Sequence, residues 1–123
     1  MPASTRRLLP LLLCALTLAA CGGSEAAVRE RSGKAAVTLD DYLIRPQTIS
    51  VPRGAVTFTV TNRGRLGHTF RIRGRTKNVL VMQTLEPGET KTETRKLGKG
   101  KYTMYCVLAN HEELGMHGTL VVR

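Results

Sequence analysis

The chain has 123 residues, enough for one compact domain and too few for two. Hydrophobic residues make up 41% and charged residues 23%, with twelve Gly, no Trp and five Phe or Tyr, which suits a small turn-rich globular fold and argues against disorder. Three His, three Cys and nine acids disfavour a large enzyme with many ionisable groups, and the formal charge of +10 has to be divided by region before it is interpreted.

In chain order, residues 1–21 have the layout of a secretory leader. Arg6 and Arg7 form a basic start, Leu8 to Leu18 an apolar run, and Leu18-Ala19-Ala20 a small-residue approach to Cys21. The run is too short to span a bilayer and is interrupted by Pro10. Leu18-Ala19-Ala20-Cys21 resembles a bacterial lipobox, which implies lipidation of Cys21 and a chain anchored to the cell membrane, facing the periplasm or the outside. Thr5-Arg6-Arg7-Leu8-Leu9 has a faint twin-arginine character, but the short leader and Pro10 favour the general secretory route. With Cys14 removed and Cys21 committed to lipid, Cys106 is the lone thiol of an exported chain. A thiol without a disulfide partner in an oxidising compartment needs an occupant, a partner or burial.

Residues 22–34 are small and polar with no apolar period, and read as a flexible tether. The folded domain is then expected over 35–123. Its period is two. Val56, Phe58 and Val60 alternate with Thr57, Thr59 and Thr61, as a half-buried strand does. Phe70 and Ile72 alternate with Thr69, Arg71 and Arg73, Tyr102 and Met104 with Thr103 and Tyr105, and a last strand runs from Gly118 to the end. Turn signals at Pro52-Arg53-Gly54, Asn62-Arg63-Gly64, Pro87-Gly88 and Gly98-Lys99-Gly100 separate these runs. Thr90 to Leu97 alternates Thr with charge and reads as an edge strand. The expected fold is an all-β, antiparallel Greek-key sandwich.

The chemistry sits in four residues. Cys106 is followed by His111 and Met116 with four residues in each gap, and His68 lies upstream. His68 has the parity of Phe70 and Ile72, and Cys106 that of Tyr102 and Met104, so both point to the core side at strand ends. The segment between Cys106 and Met116 is loop-like and can return His111 and Met116 to the same point. A thiolate and two imidazoles in a plane, with a weak axial thioether, form a blue-copper electron-transfer site. Zinc also accepts Cys-His-His, but a Met ligand favours copper.

Tyr105-Cys106-Val107-Leu108-Ala109-Asn110-His111, continuing to Met116-His117-Gly118, resembles the copper loop of the cupredoxins, the plastocyanin and azurin superfamily. The region from Val56 to His68, Pro87-Gly88-Glu89 and the Gly100-Lys101-Tyr102 entry fit the same family, over about residues 36–123. The resemblance implies one type 1 copper, with His68, Cys106 and His111 equatorial and Met116 axial. It also implies that electrons pass through His111, within an apolar patch that here would include Leu66, Leu108 and Leu114. Three features, at four positions, depart from the family pattern. Thr69 stands where many relatives carry Asn, Glu93 and Arg95 where inward apolar residues are usual, and His117 directly follows the Met, at a parity that faces solvent.

Without the leader the chain carries 17 basic and 9 acidic residues, a net +8. No acid lies between Asp41 and Glu86, where eight Arg or Lys fall, among them Arg63 and Arg65 beside the first histidine. That asymmetry suits docking to an acidic redox protein or an anionic lipid surface. Export and the lack of interleaved exposed aromatics disfavour nucleic acid. The expectation is therefore a monomeric, membrane-anchored electron shuttle that is not an enzyme, since an oxidase or nitrite reductase of this type needs a second copper centre and only His117 is spare. A copper carrier using the same ligands is the alternative, and a metal-free structural sandwich the third reading.

Overall fold

Alternation puts Val56, Phe58 and Val60 on one face, and all three are fully buried while Ala55 and Thr59 are exposed. The same rule builds the rest of the molecule. The structure, a computed structural model, describes Met1 and residues 25–123. Otherwise the expected leader, the lipidation of Cys21 and residues 22–24 of the tether lie outside the described residues. The described residues form ten strands: β1 (Val28–Arg29), β2 (Lys34–Asp40), β3 (Leu43–Arg45), β4 (Thr48–Val51), β5 (Gly54–Asn62), β6 (His68–Arg73), β7 (Asn78–Leu85), β8 (Thr90–Leu97), β9 (Gly100–Tyr105) and β10 (His117–Val122). They form a six-stranded sheet in the order β1-β4-β10-β9-β6-β7 and a four-stranded sheet in the order β3-β2-β5-β8. Among the described residues no helix is long and apolar enough to cross a membrane.

The all-β sandwich is as expected, but the sheets are mixed and not purely antiparallel. β2 pairs β5 in parallel, and β4 pairs both β10 and β1 in parallel. After β2 the chain turns through β3, crosses to the other sheet as β4 and returns as β5, which therefore runs with β2. No local pattern encodes such a pairing.

The folded domain also begins earlier than residue 35. Residues 28–29 and 34, read from sequence as tether, belong to β1 and β2. Backbone and C-terminal contacts hold them where no apolar period does. Glu30 N–H donates to Ser50 O at 2.8 Å, and the Arg123 guanidinium donates to Glu30 O at 2.6 Å.

The core lies between the sheets. Phe58 of β5 meets Phe70 of β6 at a ring separation of 6.1 Å, and Leu39, Ile49, Leu80 and Leu120 are among the buried side chains around them. Burying each large apolar side chain contributes about 1.5–3 kcal/mol. β8 is the edge strand expected. Its outward threonines pair with those of β5, Thr94 with Thr57 and Thr90 with Thr61, each at 2.8 Å. Glu93 and Arg95, at inward parity, pair with each other at 2.7 Å. Charge on a sheet edge discourages pairing with a second chain.

β6 starts, and β5 and β9 end, at one pole of the sandwich: Arg71 near the head of β6 pairs with Tyr105, and the Asn62 amide at the end of β5 donates to Leu85 O, the residue paired with His68. The four candidate ligands gather at that pole.

Candidate metal centre

The polypeptide around His68 is set by Asn62. This buried amide donates to Leu66 O and Leu85 O, both at 2.8 Å, and accepts from Gly64 N–H at 2.9 Å. A buried amide with its donors and acceptor satisfied is a rigid post, and it shapes the 63–67 loop that delivers His68 to the head of β6. His68 is 0% exposed there.

The second ligand segment folds back on itself. Cys106 N–H donates to Met116 O at 3.1 Å, and Met116 N–H to His111 O at 2.9 Å. A turn closes from His111 N–H to Leu108 O at 3.0 Å, and Gly115 takes a φ of 118°, open to glycine at little cost. Cys106 and Met116 are 0% exposed and His111 is 9% exposed. Glu112 is clamped to the outer face of the large sheet by Arg73, whose guanidinium also lies 4.3 Å over the Tyr105 ring. The hydrogen bond to Glu112 is the main reason that the Arg73 pKa is raised.

These backbone paths bring three donor atoms together. His68 Nδ1 is 3.2 Å from His111 Nδ1, and Cys106 Sγ is 3.7 Å from the same atom. One donor atom from each of the three residues lies within 4.8 Å of the others, and all three residues are buried. Metal bonds of about 2.0 Å to nitrogen and 2.3 Å to sulfur, at angles near 105–120°, require N–N and N–S separations of about 3.2–3.5 and 3.4–3.7 Å. The His68–His111 and Cys106–His111 separations fall in these ranges and the third pair lies within 4.8 Å, so the three side chains would hold one metal ion between them. The donor set of one thiolate and two imidazoles, with a buried Met on the same loop, matches copper.

Thr69, the residue after the first histidine, braces the ligand loop. It is 3% exposed, accepts the Val107 N–H at 2.9 Å and donates to Cys106 Sγ at 3.6 Å. One hydroxyl thus ties the ligand loop to β6 and points a proton at the sulfur, as an outer partner of a metal ligand does.

Asp41 and Tyr42, in the turn between β2 and β3, carry no sequence signal and escaped the reading of the sequence. Asp41 Oδ1 is 3.1 Å from His68 Nε2, and the Tyr42 ring stands edge-on to His111 at 5.1 Å. Asp41 is held below the usual carboxylate range, chiefly by the backbone N–H of Arg65, then by His68 and Leu66, with partial desolvation opposing them.

At the surface, Leu66 is 42% and Leu114 53% exposed, whereas Leu108 is half-buried against the core. Val107, not anticipated, is 44% exposed. His117 faces solvent opposite Tyr105 and is not among the gathered donors. The basic run does not form one patch. Arg63 and Arg65 sit at the site pole, Arg71 and Arg73 on the sheet face, and Arg75 and Lys77 line a cleft with Lys99 and Lys101 beyond the far end of β6. The turn after β2, the β7–β8 turn and the ligand loop meanwhile carry Asp41, Glu86, Glu89, Glu112 and Glu113 at the site pole.

A two-sheet sandwich that buries a thiolate and two imidazoles under one loop defines a class of copper-binding β-domains. The sequence model of the Cupredoxin-like domain family matches residues 10–122, and the chain belongs to that family. The fold is similar to that of reduced auracyanin from Roseiflexus castenholzii, at 19% identity and a TM-score of 0.69, over 76% of this chain and 99% of that one. An azurin from Methylomonas sp. strain J is similar at 20% identity and a TM-score of 0.65, over 75% of this chain and 98% of that one. Rusticyanin from Thiobacillus ferrooxidans follows at 17% identity and 0.63, over 79% and 82%. No curated protein matches the sequence. His68, Cys106, His111 and Met116 are arranged as the type 1 copper site of such a protein.

Proposed function

We propose that this chain is an exported, lipid-anchored one-electron carrier and not an enzyme. The observation that carries the reading is the graded burial of the ligands. His68, Cys106 and Met116 are sealed at 0% exposure, and His111 alone reaches the surface, at 9%. Copper supplies a one-electron Cu(II)/Cu(I) couple when bound. The protein's part is to exclude water, to hold the donors in one geometry for both oxidation states, and to offer the His111 edge as the path to a partner. Braces at Asn62, Thr69 and Arg73 resist rearrangement, and little rearrangement means a low barrier to transfer.

The docking face in this reading is the apolar rim of Leu66, Leu108 and Leu114 around His111, with Arg63 and Arg65 at a basic corner that meets an acidic redox protein. A small apolar rim suits brief encounters. Leu108→Lys is expected to slow electron exchange with a partner by about tenfold, the equivalent of one lost contact of about 1.4 kcal/mol, while the copper spectrum stays unchanged. Stopped-flow exchange and an absorption spectrum read both. An altered spectrum would instead make Leu108 a support of the site. Added salt should slow exchange if the basic corner steers the encounter.

Anchoring would come from Cys21. At most six residues separate it from β1, a span of about 20 Å when fully extended, so the domain would stay close to the bilayer. A copper carrier could use the same four ligands. Repeated reduction and reoxidation with copper retained in the presence of a chelator supports the electron carrier, and ready transfer of copper to the chelator supports the alternative.

A further inference from the structure

We propose that Asp41 is a positioning residue for the metal centre: its carboxylate fixes the tautomer of His68 that presents Nδ1 to the metal, and its charge favours the more positive oxidation state. The proposal rests on the copper reading above.

A neutral imidazole has one N–H and one lone pair. His68 Nε2 lies 3.1 Å from Asp41 Oδ1, and an ionised carboxylate can only accept, so the proton sits on Nε2. Nδ1 then carries the lone pair, and Nδ1 is the atom 3.2 Å from His111 Nδ1. The hydrogen bond made by the outer nitrogen thus decides what the inner nitrogen can do.

Asp41 is itself held in place. Its Oδ1 accepts the backbone N–H of Arg65 at 2.9 Å and of Leu66 at 3.2 Å. Those donors lie in the loop that delivers His68, so ligand, loop and carboxylate lock one another. Gly64 leaves the room this requires. A Cβ there would stand 2.3 Å from Asp41 Oδ1 and 3.0 Å from His68 Nε2. Tyr42, the next residue, packs its ring edge-on to His111 at 90°. A single turn, 27 residues upstream of His68, therefore touches both histidines.

The carboxylate also acts through its charge. Negative charge one imidazole away from the metal stabilises Cu(II) more than Cu(I), because the oxidised centre is the more positive. Each tenfold preference lowers a one-electron potential by about 59 mV.

The test compares wild type, Asp41→Asn and Asp41→Ala. Asn keeps an oxygen that accepts the Arg65 and Leu66 N–H groups but loses the charge, whereas Ala loses both. In the Cu(I) protein, the His68 Nε2 proton should be seen by NMR in slow exchange in wild type and exchange at least tenfold faster in Asp41→Ala. Cu(II) affinity of Asp41→Ala should fall about 10- to 100-fold. The potential should rise in both variants, and Asp41→Asn should do so without loss of thermal stability. A wild-type protein without a thiolate-to-copper band would overturn the copper reading itself. A normal wild-type band, with the potential unchanged in Asp41→Asn and His68 proton exchange unchanged in Asp41→Ala, would overturn the role of Asp41 alone. If Asp41→Ala does not fold, Asp41→Asn alone decides.

Discussion

Cys106→Ser is expected to give a folded but colourless protein. Serine is slightly smaller than cysteine and can still receive the Thr69 hydroxyl, so the copper-free protein should stay folded, with a modest fall in melting temperature for burying a hydroxyl at this site. The visible band should vanish, because its origin is charge transfer from the thiolate. Cu(II) affinity should fall further than the roughly 10- to 100-fold that loss of an outer partner costs, since a ligand itself is gone. Met116→Leu should keep the band, because the thioether is the weak axial donor. Absorption spectra with copper titrations measure both. A Cys106→Ser protein with an undiminished visible band would remove the thiolate from the site.

Phe58→Ala should cost the fold about 3–5 kcal/mol. Phe58 is 0% exposed and joins the sheets by meeting Phe70 at 6.1 Å. The four-stranded sheet has little to fill the space, because inward positions of the neighbouring β8 carry Lys91, Glu93 and Arg95. In a domain of about 100 residues the loss should lower the melting temperature by more than about 10 °C. Thr92→Ala, on the exposed face of β8, should stay within about 0.5 kcal/mol of wild type. Urea unfolding of both variants checks the contrast, and a Phe58→Ala cost below about 1 kcal/mol would mean the sheets are not held together there.

Legibility in the sequence followed the range of the interactions. β5, β6, β9 and β10 were legible because each has one buried face and so alternates. β1 was not, because Val28 and Arg29 are both exposed and the strand is held by pairing to β4. Parallel pairing of β2 with β5 depends on a chain path through the other sheet, and a period of two says nothing of direction. Ligands were legible because Cys106, His111 and Met116 close within one loop and His68 shows its parity. Asp41 was not, since a single Asp in a turn has no spacing to mark it and reaches His68 only after β2 and β5 pair. The basic stretch from Arg63 to Lys77 looked like one patch in sequence because a strand runs through it. In space β6 separates its ends by the length of the sandwich, and Arg73 is spent on Glu112.

The central claim is that Cys106, His68 and His111 hold one copper. Its most direct test is the visible spectrum of the chain from residue 22, in which Cys106 is the only thiol, titrated with Cu(II). An intense thiolate-to-copper band that saturates at one equivalent, with Cys106 then closed to thiol reagents, is the predicted result. Absence of the band, with the thiol still titratable after copper addition, would contradict it.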